Sequence, residues 1–206
     1  AGYSNQGDNA VSIGFRSGYI GQNTNSIAIG YESGNVAQST LSTAIGYYCG
    51  NDKQGSQSVA IGNQSGQLSQ NADSVAIGYL AGQSYQGSSS VSIGPNSGTI
   101  TQGENAVSIG PYSGYSNQGD NSVSIGYEAG ESNQGIGCIA IGYESANTFQ
   151  NNFCAAIGYE AGNKGQRQGA VSIGYEAGKN NQGSNSIAIG YQAGQSAQDS
   201  QSVSIG

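Results

Sequence analysis

Glutamates recur at sixteen-residue intervals in the second half of the chain, at Glu128, Glu144, Glu160 and Glu176. A pair of carboxylates can hydrolyse a glycosidic bond, and a row of them can bind a hard cation such as calcium. The first use needs a cleft that raises one pKa above the other, and the second needs a tight loop rich in Gly and Asp. Neither is evident in this sequence. Because stacked like charges repel, we expect splayed, solvated carboxylates with raised pKa values, without catalysis and without a bound metal.

Cysteine offers redox chemistry, and the chain has three: Cys49, Cys138 and Cys154. The last two are sixteen residues apart. In a coil of that length their Cα atoms would lie about 4.8 Å apart, which is compatible with a disulfide. Cysteine can equally replace serine in a column of small residues. We favour two free, buried thiols, leave the disulfide open as the alternative, and find no sequence-evident partner for Cys49.

The composition excludes several classes of site. The 206 residues contain no His, which removes imidazole bases and imidazole metal ligands. A net charge of −7 with only five basic residues argues against a nucleic-acid partner. No apolar run is long enough for membrane insertion as a helix, and no phosphate loop, dinucleotide fingerprint or zinc spacing is present. We assign no catalytic, cofactor-binding or metal-binding residue, and we expect no cofactor and no enzymatic activity.

These residues are arranged by a strict internal period. The Ile-Gly dipeptide recurs thirteen times at an interval of sixteen residues, without insertion or deletion, which is the signature of a solenoid. We number each repeat so that Ile-Gly occupies positions 15 and 16, and residues that share a position form a column. The isoleucine column consists of Ile13, Ile29, Ile45, Ile61, Ile77, Ile93, Ile109, Ile125, Ile141, Ile157, Ile173, Ile189 and Ile205.

Two further columns are candidates for structural ladders. Position 8 is glutamine in every repeat, and stacked glutamines can link their amides from coil to coil. Position 1 is most often tyrosine, and stacked rings would stiffen the solenoid. The predicted glutamine ladder consists of Gln6, Gln22, Gln38, Gln54, Gln70, Gln86, Gln102, Gln118, Gln134, Gln150, Gln166, Gln182 and Gln198. The predicted tyrosine ladder consists of Tyr127, Tyr143, Tyr159, Tyr175 and Tyr191.

Glycine and proline mark the turns between these columns. Position 16 is always Gly, position 4 is Gly in twelve repeats, and position 9 is Gly or Asn in ten. These residues tolerate left-handed backbone angles, so we expect three corners in each coil, at positions 4, 9 and 16. Pro95 and Pro111 both occupy position 1, which we therefore expect to begin a turn.

Positions 12 to 15 alternate with period two and are rich in β-branched residues, as in residues 58–61, which predicts a short strand. Frequent Gly excludes a helical solenoid. The predicted fold is all-β: a parallel β-solenoid (β-roll or β-helix) with 13 coils of 16 residues. We expect residues 1–206 to form a single domain and to be a segment of a longer fibrous protein.

The strand can face the interior in two ways. The arrangement that we favour buries the Val and Ile of positions 13 and 15 and places a flat Ser and Ala face outside. The reverse arrangement places the small residues in a very narrow coil and leaves an apolar Val/Ile stripe outside for a partner. In either case a flat face of low charge remains exposed, and such a face usually needs a partner or a special ligand.

The motif Asn-Ser-Val-Ser-Ile-Gly at residues 121–126, with its relative at residues 185–190, resembles a known repeat. It is similar to the head repeats of trimeric autotransporter adhesins, the YadA-like heads, and to related fibre repeats of phages and large viruses, here as a 16-residue variant. The resemblance covers the whole chain. It implies a parallel β-roll, often a homotrimer, that is displayed on a surface and used for attachment.

We therefore expect a structural or adhesive surface fibre or filament segment that self-assembles through its flat face or its uncapped ends. The expected partners are copies of the chain itself, as a trimer or a filament, with a host-surface receptor or matrix as a further partner. The expected location is extracellular, on a cell surface or on a virion surface. The alternative is an ice-binding or ice-nucleating solenoid that uses a flat Ser and Ala face. A carbohydrate-acting enzyme is a third, weaker hypothesis, because no irregular loop builds a cleft.

Overall fold

The computed structural model describes all 206 residues and contains only strands and turns. It has no helix with the length and apolarity needed to cross a membrane. The chain divides into two compact units, Ala1–Asn105 and Ala106–Gly206. Within both units the strands are short and parallel, and successive strands of one sheet are sixteen residues apart. The all-β parallel solenoid predicted from the period of the sequence is confirmed.

The first unit contains strands β1 to β11, and the second contains β12 to β24. Those of the first unit are β1 (Val11–Ile13), β2 (Ile27–Tyr31), β3 (Val36–Gln38), β4 (Thr43–Tyr47), β5 (Asp52–Gln54), β6 (Val59–Asn63), β7 (Leu68–Gln70), β8 (Val75–Ile77), β9 (Ser84–Gln86), β10 (Val91–Ile93) and β11 (Ile100–Gln102). Those of the second unit are β12 (Val107–Ile109), β13 (Ser116–Gln118), β14 (Val123–Ile125), β15 (Ser132–Gln134), β16 (Ile139–Ile141), β17 (Thr148–Gln150), β18 (Ala155–Ile157), β19 (Lys164–Gln166), β20 (Val171–Ile173), β21 (Asn180–Gln182), β22 (Ile187–Ile189), β23 (Ser196–Gln198) and β24 (Val203–Ile205).

The strands of each unit belong to two parallel sheets. The strands that contain the Ile of position 15 pair in register, for example Val59 with Val75 in the first unit and Val123 with Ile139 in the second. We call this the Ile sheet. The strands that end in Gln form the other sheet, which we call the Gln sheet, with a register such as that of β15 and β17. One coil therefore passes once through each sheet.

The Gln-sheet strand at positions 6 to 8 was not predicted from the sequence. A strand such as β13, Ser-Asn-Gln, has no apolar alternation. Its central residue Asn117 has a left-handed backbone with φ 54°, and only its first and last residues pair with β15. The strand forms because the stacked coils satisfy its main-chain groups, and local propensity contributes little to it.

The corners also differ in part from the prediction. Positions 4 and 16 are left-handed as expected, for example Gly50 (φ 49°) and Gly46 (φ 139°). A Cβ on Gly46 would overlap the carbonyl oxygen of Gly62 in the next coil. Position 9 is not a left-handed corner. A Cβ on Gly55 would instead meet the main chain at Asn71, so Gly there permits a close approach between coils. The other left-handed residues occupy positions 2, 7 and 11, as at Gln64 (φ 56°).

Position 1 follows the Ile sheet and behaves in two ways. Pro95 and Pro111 lie outside the strands, as expected for the start of a turn. In contrast, β2 and β4 extend as far as Tyr31 and Tyr47, which pair with each other in register.

The interior is lined by small residues, and the arrangement that we favoured from the sequence is wrong. Ala140 at position 14 and Cys138 at position 12 are fully buried, whereas Ile61 and Ile173 at position 15 are 36% and 37% exposed. The reverse arrangement, a narrow coil with an outward Val/Ile stripe, is the one that forms. The Ser and Ala face expected outside is therefore inside.

The glutamine column explains this inversion. Gln150, at the end of β17 in the Gln sheet, extends across the interior and donates from Nε2 to the main-chain oxygen of Ile139 in the Ile sheet, at 3.2 Å. A coil narrow enough for this hydrogen bond has room beside the amide only for Ser, Ala or Cys. The larger Val and Ile side chains must therefore face outwards.

Candidate functional site: the Val/Ile stripe and its supporting columns

The outer face of the Ile sheet carries two apolar side chains in nearly every repeat. We define the Val/Ile stripe as the side chains at positions 13 and 15. None of its residues is charged in any repeat, and only Thr43 and Ala155 interrupt the Val and Ile of position 13. Away from the chain ends its isoleucines remain partly exposed, as at Ile125 (36%) and Ile189 (38%). The predicted isoleucine column thus lies on the surface, where it can contact a partner.

The serines expected on the outer face are buried, and their hydroxyls are hydrogen-bonded. Ser58, Ser74 and Ser90 have no exposed surface. Each hydroxyl donates to the main-chain oxygen three residues earlier, at 2.6 Å in all three cases. The flat Ser and Ala face required by the ice-binding alternative is therefore absent from the surface.

The glutamine column holds the two sheets together from inside. Gln38 donates from Nε2 to Gln54 Oε1 at 3.1 Å. In the second unit the same bond joins Gln134 to Gln150 (3.2 Å) and Gln150 to Gln166 (2.8 Å). A second bond from Nε2 reaches the main-chain oxygen eleven residues earlier, on the Ile sheet, as described for Gln150. The column therefore connects coil to coil and sheet to sheet.

Serine at position 14 takes part in this column, which the sequence interpretation missed. Gln118 donates from Nε2 to Ser124 Oγ at 3.3 Å, and Ser124 donates in turn to Gln134 Oε1 at 2.8 Å. The hydroxyl thus relays the hydrogen bond between successive glutamines. Where position 14 is Ala, no such relay is available, and the Oε1 atoms of Gln38 and Gln70 are buried without a partner. Position 14 is either Ser or Ala in every repeat, and this was the feature of the sequence that could have indicated the role of the hydroxyl.

The tyrosine column forms a stack on the surface beside the Ile sheet. From Tyr127 to Tyr191 the successive ring centroids are 5.2, 5.1, 4.9 and 5.2 Å apart, with ring planes within 11° of parallel. In the first unit Tyr31 and Tyr47 stack at 5.2 Å, and Asn63 follows at the next position 1. Because each inner ring is covered on both faces by its neighbours, its exposed parts are an edge and the hydroxyl.

Glutamates line this stack and change its acidity. A hydrogen bond with Glu144 raises the pKa of Tyr143 to about 12. Tyr127 is affected in the same direction, because its hydrogen bond with Glu128 raises its pKa. A phenol beside a carboxylate resists ionisation because its anion would be repelled. Tyr127 and Tyr143 therefore stay neutral at ordinary pH.

The expectation of splayed, solvated glutamates with raised pKa values is wrong at the end of the column. Lys179 contacts Glu160 and lies 2.6 Å from Glu176 Oε1, and these two carboxylate side chains are only 16% and 13% exposed. The Nε2 atoms of Gln192 and Gln195 each donate to Glu176 Oε2 at 2.7 Å. The Lys179 hydrogen bond lowers the pKa of Glu176, and the two carboxylates raise that of Lys179. The prediction considered the glutamates of position 2 by themselves and therefore missed the contacts of Lys179 at position 5.

Glu128 lacks a lysine neighbour and is bridged by an amide instead. Asn147 donates from Nδ2 to Glu131 at 2.8 Å and to Glu128 at 3.3 Å. Partial burial raises the pKa of Glu131. These hydrogen bonds join neighbouring coils, so the two carboxylates help to stabilise the surface of the solenoid.

All three cysteines are free and buried, which agrees with the arrangement that we favoured. Cys49 at position 3 donates to the main-chain oxygen of Ala60 at 3.2 Å, and burial raises its pKa to about 12. Cys138 and Cys154 lie in one column with Ala170. These thiols therefore serve as small interior residues.

Comparison with known families agrees with this geometry. Residues 182–206 match the family model described as the YadA head domain repeat, in two copies. The chain resembles YadA head repeats. No curated protein matches it. The matched segment includes β22 and β24 of the Ile sheet, and the same columns recur at the same interval in every other repeat. The chain is thus an adhesin-like structural repeat protein built as a β-solenoid.

Proposed function

We propose that this chain is a segment of a surface fibre with a structural or adhesive role, and that copies of it associate through the Val/Ile stripe. The observation that carries this proposal is the stripe itself, an uncharged double column of Val and Ile that the fold leaves partly exposed. Its proposed role is non-enzymatic. The similarity to YadA head repeats supports a homotrimer and a location outside the cell, on a cell or virion surface.

The energetics favour association through many small contacts. Burying apolar surface contributes roughly 25 cal/mol for each Å², so one half-exposed Ile adds only a modest amount. The contributions add along a solenoid, because each coil presents the same pair of side chains at the same spacing. The constant register of the strands in each unit lets successive rungs of two copies pack together.

The outer surface of the Gln sheet is less suited to this role. Its position 6 carries Asp52, Lys164 and Asn180, and apolar residues occur there in only four of the thirteen repeats, as at Ile100. Charged and polar side chains are costly to bury without partners. We therefore assign self-association to the stripe, and leave the remaining faces to a host-surface receptor or matrix.

The test is the solution mass by sedimentation equilibrium at several concentrations. The wild-type chain is expected to give a discrete mass of three times 20.7 kDa. Ile125→Lys, which places a charge in the middle of the stripe, is expected to shift the equilibrium to monomer. Thr148→Lys is the matched control, because position 6 of the next repeat already carries Lys164, and it should keep the wild-type mass.

Two results would contradict the proposal: a wild-type chain that is monomeric at every concentration, or an Ile125→Lys variant that associates as well as wild type. A mass that grows continuously with concentration would replace the trimer with a filament. In that case the Ile125→Lys variant would still show whether the stripe is the contact surface.

A further inference from the structure

The column at position 12 contains an unusual pair. Eleven of the thirteen repeats carry Ser or Ala at this position, whereas Cys138 and Cys154 occupy it in two consecutive coils. Both are buried, with 0% and 2% of their surface exposed. The main-chain N–H of Cys154 points at Cys138 Sγ, with the nitrogen and sulfur 3.4 Å apart. The two thiols are therefore neighbours along the coil axis.

Their side chains are oriented differently from the serines that usually occupy position 12. Ser122 and Ser186 donate to main-chain oxygens three residues earlier in their own repeats, at 2.5 and 2.7 Å. Cys138 instead donates to Asn151 in the following coil at 2.8 Å, and Cys154 donates to Arg167 at 3.0 Å. The sulfur of Cys138 is thus directed along the stack towards Cys154.

We propose that Cys138 and Cys154 are a redox-sensitive pair that forms a disulfide between consecutive coils. The spacing of stacked strands, about 4.8 Å between Cα atoms, lies within the range of disulfides. The bond would close a loop of one complete repeat and join two adjacent rungs covalently. Cys49, also buried but at position 3 on a different column, has no place in the pair.

The oxidant in this proposal is a low-molecular-weight disulfide such as oxidised glutathione. The thiolate of one cysteine attacks the glutathione disulfide and releases one glutathione thiolate, leaving a mixed disulfide on the protein. The second cysteine, as its thiolate, attacks the protein sulfur of that mixed disulfide and releases the second glutathione. The protein loses two protons and two electrons, and these convert one glutathione disulfide into two glutathione thiols.

The environment favours Cys154 as the first nucleophile. The hydrogen bond with Cys138 lowers the pKa of Cys154, whereas the hydrogen bond with Cys154 and burial raise the pKa of Cys138. Cys154 also follows directly after the turn that carries Phe153, whose side chain is 62% exposed. Opening of this surface turn, or folding in the presence of the oxidant, would give the reagent access to the thiol.

The experiment refolds the whole chain from denaturant with a mixture of reduced and oxidised glutathione, blocks the remaining thiols under denaturing conditions, and measures the intact mass. The wild-type chain should carry one blocking group, on Cys49. Its mass should be lower by two hydrogen atoms than the mass of a fully reduced chain with one blocking group. Peptide mapping should recover residues 138 and 154 in one linked pair. The oxidised chain should unfold at a higher denaturant concentration than the reduced chain.

Cys138→Ser and Cys154→Ser are the matched controls, because serine is the commonest residue at position 12. Neither variant should form the internal bond or show a redox-dependent unfolding midpoint, whereas Cys49→Ser should behave as wild type in both measurements. The proposal is overturned if wild type refolds with three blocked thiols, or if the linked pair includes Cys49.

Discussion

The two sides of the Ile sheet differ in the size and the exposure of their side chains. On its inner side Ala140 and Ala156 have no exposed surface, and they pack with Ala129, Ala146 and Ala161 in one cluster. On its outer side Ile141 and its column neighbours remain partly in solvent. A globular sheet would place its large apolar residues inside. Here the interior is closed by hydrogen bonds and small side chains, and the hydrophobic surface is left for contact with another molecule.

This difference indicates where stability and association reside. The interior holds each chain together through the glutamine column and through tight contacts between coils. The Val/Ile stripe contributes less to the single chain, and we expect it to gain its full contribution when copies associate. Changes inside should therefore reduce stability sharply, and changes outside should act mainly on assembly.

The largest effect is expected from overfilling the interior. Ala140→Leu introduces a branched side chain where the surrounding cluster has no free space, and we expect a loss of about 3 kcal/mol or more in the free energy of unfolding. Ile141→Ala, one residue along on the outer side, should cost clearly less in the monomeric state. Denaturant unfolding of both variants measures the difference. Equal losses, or a neutral Ala140→Leu, would mean that the two sides are not distinct.

A smaller effect is expected from the glutamine column. Gln150 accepts from Gln134 and donates to both Gln166 and Ile139, whereas the Oε1 of Gln70 has no partner. Gln150→Ala should therefore destabilise the chain by about 1 kcal/mol more than Gln70→Ala, the typical contribution of one internal hydrogen bond. Denaturant unfolding of the two variants side by side measures this difference. A Gln70→Ala variant that is the less stable of the two would contradict the assignment of these bonds.

The smallest effect is expected from the ion pairs of Lys179 with Glu160 and Glu176. Because the folded-state pKa of Glu176 is lowered, its stabilising contribution is complete above the unfolded pKa, near 4.3. It is lost as the pH falls through the lower folded-state value. Thermal unfolding between neutral pH and pH 2 should show this loss, and Lys179→Met should reduce it. An identical acid dependence in the variant would show that Lys179 does not stabilise the carboxylate.

The period of the sequence was sufficient to predict the fold class. An uninterrupted interval of sixteen residues demands a coil of constant length, and β-branched residues before each Ile-Gly indicate a strand. The Gln-sheet strands were missed, because Lys164–Gln166 and Ser116–Gln118 carry no periodic apolar pattern. Those strands depend on pairing between coils, which no local window of sequence contains.

The orientation of the Ile-sheet strand was predicted wrongly for a reason that can be traced. The usual burial preference of Val and Ile was applied to positions 13 and 15. The glutamine at position 8 was treated only as a ladder that links successive coils. A buried glutamine that extends across the coil leaves space only for Ser, Ala or Cys. Two features of the sequence together indicated this orientation: glutamine at position 8 in every repeat, and small residues at positions 12 and 14. The contacts of Lys179 depend on neighbouring columns and were likewise missed.

The central claim, that the coil is small inside and apolar outside, can be tested with one labelling experiment. In a chain with its three native cysteines replaced by serine, Ala140→Cys and Ile141→Cys place a thiol on opposite sides of the same strand, and reaction with a thiol reagent is followed at increasing protein concentration. We predict that residue 140 stays protected at every concentration, and that residue 141 reacts readily in dilute solution and becomes protected as copies associate. Faster reaction at residue 140 than at residue 141 would contradict the account.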